Sequence, residues 1–560
     1  MKKLYLIFIL YFFSLSILAQ DKNEPMESVL LITDRTVYAA GESIHFSSKV
    51  FYQGREHAKA SRILYLELIT PGTEQIIGYK FALKDQECKG SIVIPEGMVS
   101  GNYYLRAYTK LMRNSCLNHI SYCYLKIVNP HKNELNDIAS LPADSFDAFF
   151  TDTIPPENYF DISLEADKFE NREKVNVHIE GKAIGQDSIL YTIISVVPLH
   201  SVSDKSLKFN EVEAGANNDN RFTAESLGIT ISGRVEHKAD EKCNLYDNIS
   251  LSIFGENRNL FYPILSDSEG RFNFTFPELF GNYDLFISYA DECPDSEIFI
   301  DNDFYSRNIA LPSPSFTFSV EERLSTYKIS VNEQLSTYFN GDLNDVGEKH
   351  VSGRDNDTIP FYGRPDQVIY IDDFIELPTI PDYFYELAMP VKIRKLDGVE
   401  KIVINGTNLE MLIHAPLIMV DFIRVYNLDE ITKINPEKVS RFEVVTSPYV
   451  RGEVIFGGIL NIISRENDFA SIKLPESGQF LNYRFLSQTK DLFVLQDSHS
   501  ENIPDTRNTL FWNPHLELNK ESSADISFLT ADTDETYIIK VVGITQKGNK
   551  VSTVRKFEVK

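Results

Sequence analysis

The sequence predicts a mainly β protein: serial β-sandwich modules followed by one small α/β domain. Three observations carry that expectation. The chain has 560 residues, more than one hydrophobic core serves, and 43% of them are apolar, as in globular proteins. It holds 28 Tyr and 38 Phe, residues that suit pleated, half-buried surfaces. Short segments of alternating apolar and polar residues recur along its length, separated by Gly-, Pro- and Asp-containing turns.

The formal net charge of −26 argues against nucleic acid as a partner, because that binding needs Lys and Arg to displace counterions. It also argues against docking on an anionic membrane surface. The N-terminus, MKKLYLIFILYFFSLSILAQ, has Lys2 and Lys3 before an apolar run that ends near Leu18, with the small residue Ala19 behind it. Residues 1–20 therefore read as a secretory signal peptide. No later apolar run is long enough to span a bilayer, so the mature chain is expected to carry no transmembrane segment and to stay in solution without detergent. Of the five cysteines, Cys116 with Cys123 and Cys243 with Cys293 are candidate disulfide pairs; the odd number leaves at least one thiol over.

The first module spans 27–129. SRILYLELITP and GNYYLRAYTK alternate, with IPEGMVSG as turn chemistry between them. TDRTVYAAGESIHF, residues 33–46, resembles the start of a macroglobulin domain of the MG2 type. SGNYYLRAYTKLMRN, residues 100–114, is similar to the closing strand of the same domain. Gly41 is expected to permit a turn into a strand, and Gly101 the turn before the last strand. The Gly-Cys-Gly-Glu-Gln thioester with which large macroglobulins trap proteases does not occur, so the resemblance implies only the scaffold.

A linker at 130–158 leads to FDISLEADKFENREKVNVHIEG, which resembles a second macroglobulin-like strand pair and defines a β domain at 159–225. In the next module, 228–300, Gly233, Val235, Asp267, Gly270 and Phe272 fall where carboxypeptidase regulatory-like domains have them, a resemblance that implies a β-sandwich without peptidase chemistry. Phe272, Phe274 and Phe276 are expected to share one face, and Gly270 to form a tight turn. At 310–345 the period changes. Val320, Leu324, Tyr327, Val331, Leu335 and Phe339 recur every three or four residues, predicting an amphipathic helix over 318–339 with that stripe packed on a neighbouring sheet.

From 361 to 470 the pattern changes again. A strand ends at Val420 and Asp421, an acidic Leu-containing turn reaches Asn435 and Pro436, and the strand RFEVV follows. Gly457 and Gly458 then precede the strand ILNIIS. TonB-dependent receptor plugs have this order. The resemblance covers 416–465, with one departure: plugs read Val-Asp-Gly where this chain has Phe422 after Asp421. About 100 residues follow Ser464, whereas a 22-strand barrel at about 10 residues per strand needs on the order of 220. A barrel within this sequence is therefore not expected. The tail, 471–560, reads as one more macroglobulin- or immunoglobulin-like β domain, with Trp512 in its core. The arrangement as a whole resembles a family of secreted Bacteroidota proteins that combine macroglobulin-like, carboxypeptidase regulatory-like and plug-like domains without a barrel.

Catalytic motifs are missing from the sequence: it has no His-Glu-x-x-His, no Gly-x-Ser-x-Gly and no P-loop. His178 and His414 read as ordinary strand residues, and Asp372 with Asp373 as a solvated edge or a helix cap. Asp532 and Asp534 flank a loop without an EF-hand pattern. No catalytic, metal or cofactor residue is assigned. Asp152-Thr153-Ile154, Asp187-Ser188-Ile189 and Asp357-Thr358-Ile359 fit the Asp-Ser/Thr-apolar pattern of Bacteroides-type O-glycosylation. The expected function is non-enzymatic binding or assembly in the cell envelope, at the periplasm, the outer membrane or the cell surface. Its expected partners are envelope proteins, including an outer-membrane barrel or transporter; the alternatives are an accessory component of an outer-membrane transporter whose barrel is a separate chain and, second, a hydrolase whose residues meet only in space. Pro448, Tyr449, Val450 and Arg451, a Pro-Tyr turn before Gly452, are the candidate docking residues.

Overall fold

The computed structural model describes residues 26–560 apart from 54–59, 115–116, 137–149, 153–158, 183–188, 203–204, 208–221, 237–247, 256–257, 291–295, 308, 310, 341–349, 352–358, 389, 397, 407–412, 490–502, 520–521 and 546–549. The described residues are mainly β. They divide into two compact units made of interleaved stretches. Stretches 1–226, 304–345 and 489–560 form one unit, and 227–303 with 346–488 form the other.

The first unit contains two sandwiches. In the first, Met26–Thr33, Ser43–Gln53 and Glu87–Val93 form one sheet; the other runs Val37–Ala39, Ser121–Val128, Ser100–Tyr108, Ile63–Ile69, Gln75–Ala82. Ile63–Ile69 and Ser100–Tyr108 are buried on both faces, so their polar residues must pair with each other. Glu67 accepts from Arg106 Nε and Nη2 at 2.9 and 3.0 Å and from Tyr108 Oη at 2.5 Å, which keeps a charged pair tolerable inside the core. Gly101 lies within a strand, not at the expected turn. What requires glycine there is close approach, because a Cβ would meet the Asn136 carbonyl oxygen at 2.7 Å.

The second sandwich corrects the division between 159–225 and 471–560. Phe160–Leu164, Lys174–Gly181 and Ser523–Leu529 form one sheet. In the other, Ile189–Pro198 lies between Phe511–Asn513 and Glu535–Thr545, and Lys550–Val559 pairs with Glu535–Thr545. The two stretches are halves of one sandwich with one core, in which Val175, Val177 and Ile179 pack with Phe528, Ile539 and Phe557. Neither half has enough strands to cover its own apolar face. The strand Gln479–Arg484, also placed in the tail domain by sequence, pairs instead with Asn282–Tyr289 of the other unit. Trp512 packs with Ile32, Tyr191 and Val542, in contact with Leu30 and Phe51 of the first sandwich.

The predicted helix forms at Val320–Asn340, but its faces are reversed. Ser325, Thr326, Ile329, Ser330 and Asn332 point inward, while Val320, Leu324, Tyr327, Leu335, Tyr338 and Phe339 are exposed. The reason is the surface beneath it. Arg35 pairs with Glu42 through two hydrogen bonds, of 2.6 and 3.1 Å, and Asn508 Nδ2 donates to Glu42 at 2.7 Å and to the Ile329 carbonyl at 3.2 Å. A polar base selects a polar helix face. Gly41, at φ 96°, lies directly under the Glu333 carboxylate.

In the second unit, Arg271–Phe276, Ile229–Glu236 and Glu297–Ile300 form one sheet of a sandwich; Leu260–Leu265, Asn248–Phe254 and Asn282–Tyr289 belong to the other. Phe272, Phe274 and Phe276 are all buried along one strand face, and Gly270 turns at φ 74°. Residues 361–470 form a five-stranded mixed sheet in the order Gln367–Tyr370, Val439–Val445, Ile459–Ser464, Leu417–Val420, Ile423–Arg424, with short helices Ile380–Glu386 and Leu428–Thr432. Its core also takes in Phe254, Phe261 and Phe286 of the sandwich, so the two modules share one apolar interior.

Among the described residues no helix is long and apolar enough to cross a membrane, which leaves β-barrel spans unaddressed. The Cys123 thiol lies 3.3 Å from Thr33 Oγ1 and makes no disulfide within the described residues. Cys116, Cys243 and Cys293 lie outside the described residues, as do the Ser or Thr of all three glycosylation triplets.

Candidate functional site

The turn that departs from the plug pattern is built first. Val420 pairs with Ile423, so Asp421 and Phe422 form a two-residue hairpin loop, and both have positive φ, 46° and 66°. Such a turn favours Asp-Gly, because a side chain at the second position is strained there. Phe422 is held by other contacts: it is 1% exposed, its ring stacks 6.4 Å from Tyr362, and its carbonyl accepts from Ser252 Oγ at 2.7 Å. The Asp421 carboxylate accepts from Ser464 N at 2.8 Å, Ser464 Oγ at 2.5 Å and Phe469 N at 3.0 Å. Burial pushes its pKa above the usual carboxylate range, while those hydrogen bonds pull the other way.

Next to this turn lies a buried polar network. Tyr362 Oη donates to Glu443, Asn461 Nδ2 donates to Tyr362 Oη at 2.9 Å, and Glu443 Oε1 accepts from Arg441 Nε at 2.8 Å. Burial, then the neighbouring Glu443 charge, raises the Tyr362 pKa well above its ordinary value. These groups satisfy one another, which suits a rigid support rather than a reacting centre.

The predicted docking residues are divided. They lie on or beside the hairpin Tyr449–Arg451 with Val454–Phe456. Pro448 and Val450 face outward. Tyr449 packs its ring 5.5 Å from Phe361, and the Arg451 guanidinium sits 4.4 Å over the Tyr262 ring, so these two anchor the hairpin to its own unit. Further exposed apolar residues of this module lie elsewhere. Gln367–Tyr370 is a terminal strand of the five-stranded sheet; Val368 and Tyr370 on it, and Phe374 and Ile375 beyond the turn that follows it, are exposed, Ile375 to 87%. Sequence reasoning read YIDDFIEL for its acidic pair and missed the apolar residues flanking it. Asp372 is occupied by Arg465, at 2.5 and 2.8 Å.

In the first unit, a groove of about 520 Å³ opens on the outer face of the sheet Phe160–Leu164, Lys174–Gly181, Ser523–Leu529. Ser163, His178 and Asp525 stand directly opposite one another on adjacent strands, and His178 Nδ1 lies 2.7 Å from Asp525 Oδ1. Glu165, Asn176 and Ser527 complete the polar lining. No sequence motif announces this row, because Asp525 lies 347 residues from His178 and farther still from Ser163. The groove offers a hydroxyl, an imidazole and carboxylates to a polar ligand, in open solvent. Asp532 is held by Arg172 at 2.6 and 2.7 Å and by Asp505 N at 2.8 Å, and His414 is exposed. Among the described residues no three His, Cys, Asp or Glu are placed to hold a metal.

No protein-family model matches the chain, and no curated protein matches it. Solved structures resemble it. A point mutant of Salmonella alpha-2-macroglobulin is 8% identical over 95% of this chain and 39% of its own, with a TM-score of 0.23. Trypsin-activated alpha-2-macroglobulin from Escherichia coli is 9% identical over 95% and 41%, with a TM-score of 0.22. Dimeric latent PorU from Porphyromonas gingivalis is 10% identical over 50% and 33%, with a TM-score of 0.15. The chain spans about two fifths of the length of the alpha-2-macroglobulins it resembles.

Proposed function

We propose that this chain is a non-enzymatic binding or assembly protein of the bacterial cell envelope, with the plug-like module as its docking part and an outer-membrane barrel or transporter on a separate chain as its partner. The observation that carries this reading is the open edge of the plug-like sheet. A terminal strand has one side without a partner in its sheet, and here the exposed apolar residues Val368 and Tyr370 stand on that strand, with Phe374 and Ile375 just past its end. Such an edge suits strand addition, with main-chain hydrogen bonds for affinity and aromatic residues for selection. Pro448 and Val450 belong to a second, smaller exposed element of the same module. The charged N-terminal segment with its apolar run supports export.

The test places a photocrosslinking residue at Ile375 in the producing cells. A defined adduct that mass spectrometry identifies as an integral outer-membrane barrel is the expected result. No adduct at Ile375, or the same adducts from a control position at Asn176, sinks the docking reading.

The row Ser163, His178, Asp525 favours a second reading, a hydrolase acting at the open groove. Its requirement is a base-activated hydroxyl. If purified protein hydrolyses an ester or glycan substrate and Ser163→Ala and His178→Ala both abolish this, the second reading replaces the first.

A further inference from the structure

We propose that the helix Val320–Asn340 is a self-association element, pairing antiparallel with the same helix of a second copy of this chain. The helix presents its apolar stripe to solvent: Val320 is 81% exposed, Tyr327 67% and Tyr338 82%, with Leu324, Leu335 and Phe339 alongside. Its inward face is committed to the polar base. Asn332 Nδ2 donates to Asn508 Oδ1 at 2.8 Å, Thr533 Oγ1 donates to Asn332 Oδ1 at 3.1 Å, and Lys328 pairs with Glu535 at 3.2 Å. The stripe therefore cannot turn inward without breaking this set. An exposed stripe at spacings of three and four is the surface that helix pairing uses.

Two features of the sequence select a second copy as the occupant, and the antiparallel direction. The outer residues of the stripe are symmetric about the midpoint between Ile329 and Ser330. A two-fold axis there sets Val320 against Phe339 of the second copy, Leu324 against its Leu335, and Tyr327 beside its Val331. The charges at the helix ends differ. Glu321 and Glu322 lie in the first turn, and the last turn carries no basic residue. A parallel pair would gather four carboxylates at one end. The antiparallel pair separates them, sets Glu321 and Glu322 beside uncharged Thr337 and Tyr338 of the second copy, and opposes the helix dipoles favourably. A 21-residue helix is about 31 Å long and 10 Å wide, so the contact stays below the roughly 800 Å² per partner of a standard interface. The pair is accordingly a reversible, concentration-dependent dimer.

The test is sedimentation velocity of the full chain, freed of residues 1–20, over a hundredfold range of concentration. The weight-average mass should rise toward twice the monomer. Leu324→Asp with Leu335→Asp, both at exposed positions, should hold the protein monomeric across the range with unchanged circular dichroism. Direction is read by mixing a Val320→Cys chain with a Phe339→Cys chain and adding a short bis-maleimide crosslinker. A product that needs both variants supports the antiparallel pair, and a Val320→Cys product formed alone overturns it. A monomer at every concentration, or a dimer that the double Asp variant leaves intact, overturns the proposal as a whole.

Discussion

The Asn332 side-chain amide donates to the Asn508 Oδ1 at 2.8 Å, and through Asn508 it reaches the Glu42 carboxylate that holds Arg35. Three stretches of the first unit, about 300 and 180 residues apart in sequence, meet at these two side chains. Asn508→Ala would leave Asn332, Glu42 and the Ile329 carbonyl short of a partner. The expected cost is about 1–3 kcal/mol of stability, read from the midpoint of a urea titration, with loss of the helical circular dichroism signal before global unfolding. A midpoint within 0.3 M of the parent, on the order of 0.5 kcal/mol for typical urea slopes, would count against the clamp.

Gly41→Ala tests the contact between the helix Val320–Asn340 and the turn that precedes Ser43–Gln53. The backbone is at φ 96°, and an added Cβ would come within 2.6 Å of Glu333 Oε1. Destabilisation of more than about 1 kcal/mol is expected from the backbone alone. Adding Glu333→Ala should recover the steric part and leave the backbone part. A Gly41→Ala protein as stable as its parent would refute both parts.

Phe422→Gly separates strain from packing. Glycine relieves about 1 kcal/mol of left-handed strain but empties the space of a ring that is 1% exposed, worth about 3–5 kcal/mol. A net loss of about 2–4 kcal/mol is expected in chemical denaturation. A gain in stability would mean that the ring contributes less than the turn costs.

At the Pro-Tyr turn, Tyr449→Ala should destabilise the second unit by about 1–3 kcal/mol, because the ring packs on Phe361. Val450→Ala, at an outward position, should stay within about 0.5 kcal/mol of the parent. Equal effects would contradict the inward placement of Tyr449.

Burial pushes the His45 imidazole below its ordinary pKa. The unfolded chain therefore binds a proton there that the folded chain refuses. This contribution to stability is fully present above about pH 6.5 and is lost as pH falls from there toward the depressed folded value. His45→Asn should weaken the dependence of the urea midpoint on pH between 8 and 5.5. An unchanged dependence would exclude His45 as its source.

Local patterns were legible where the physics is local. The alternation of Phe272, Phe274 and Phe276 and the turn at Gly270 are properties of neighbouring residues, and the structure has them. The helix at Val320–Asn340 was legible as a helix, since apolar spacing reports the period. Its orientation was not, because that is set by Glu42, Asn508 and Thr533, residues far away in sequence. The tail read as a separate domain because strand patterns do not name their partners, and Lys174–Gly181 pairs with Ser523–Leu529 across about 350 residues. The same holds for Ser163, His178 and Asp525, which become neighbours only through that pairing. At Asp421 and Phe422 the departure from the glycine pattern was visible, but the ring stacking on Tyr362 that makes Phe tolerable was not.

The interleaving of the two units imposes an order of assembly. Ile189–Pro198 emerges early in synthesis, yet both strands that flank it in its sheet, Phe511–Asn513 and Glu535–Thr545, come about 300 residues later. Until then its largely apolar stretch has no sheet to join, and such an unpaired strand is prone to mispairing. The closing ladder bridges long sequence separations and should form late and slowly. A chain delivered N-terminus first across a membrane would carry this waiting strand exposed for most of its passage, so the last strands to arrive seal what the first ones began.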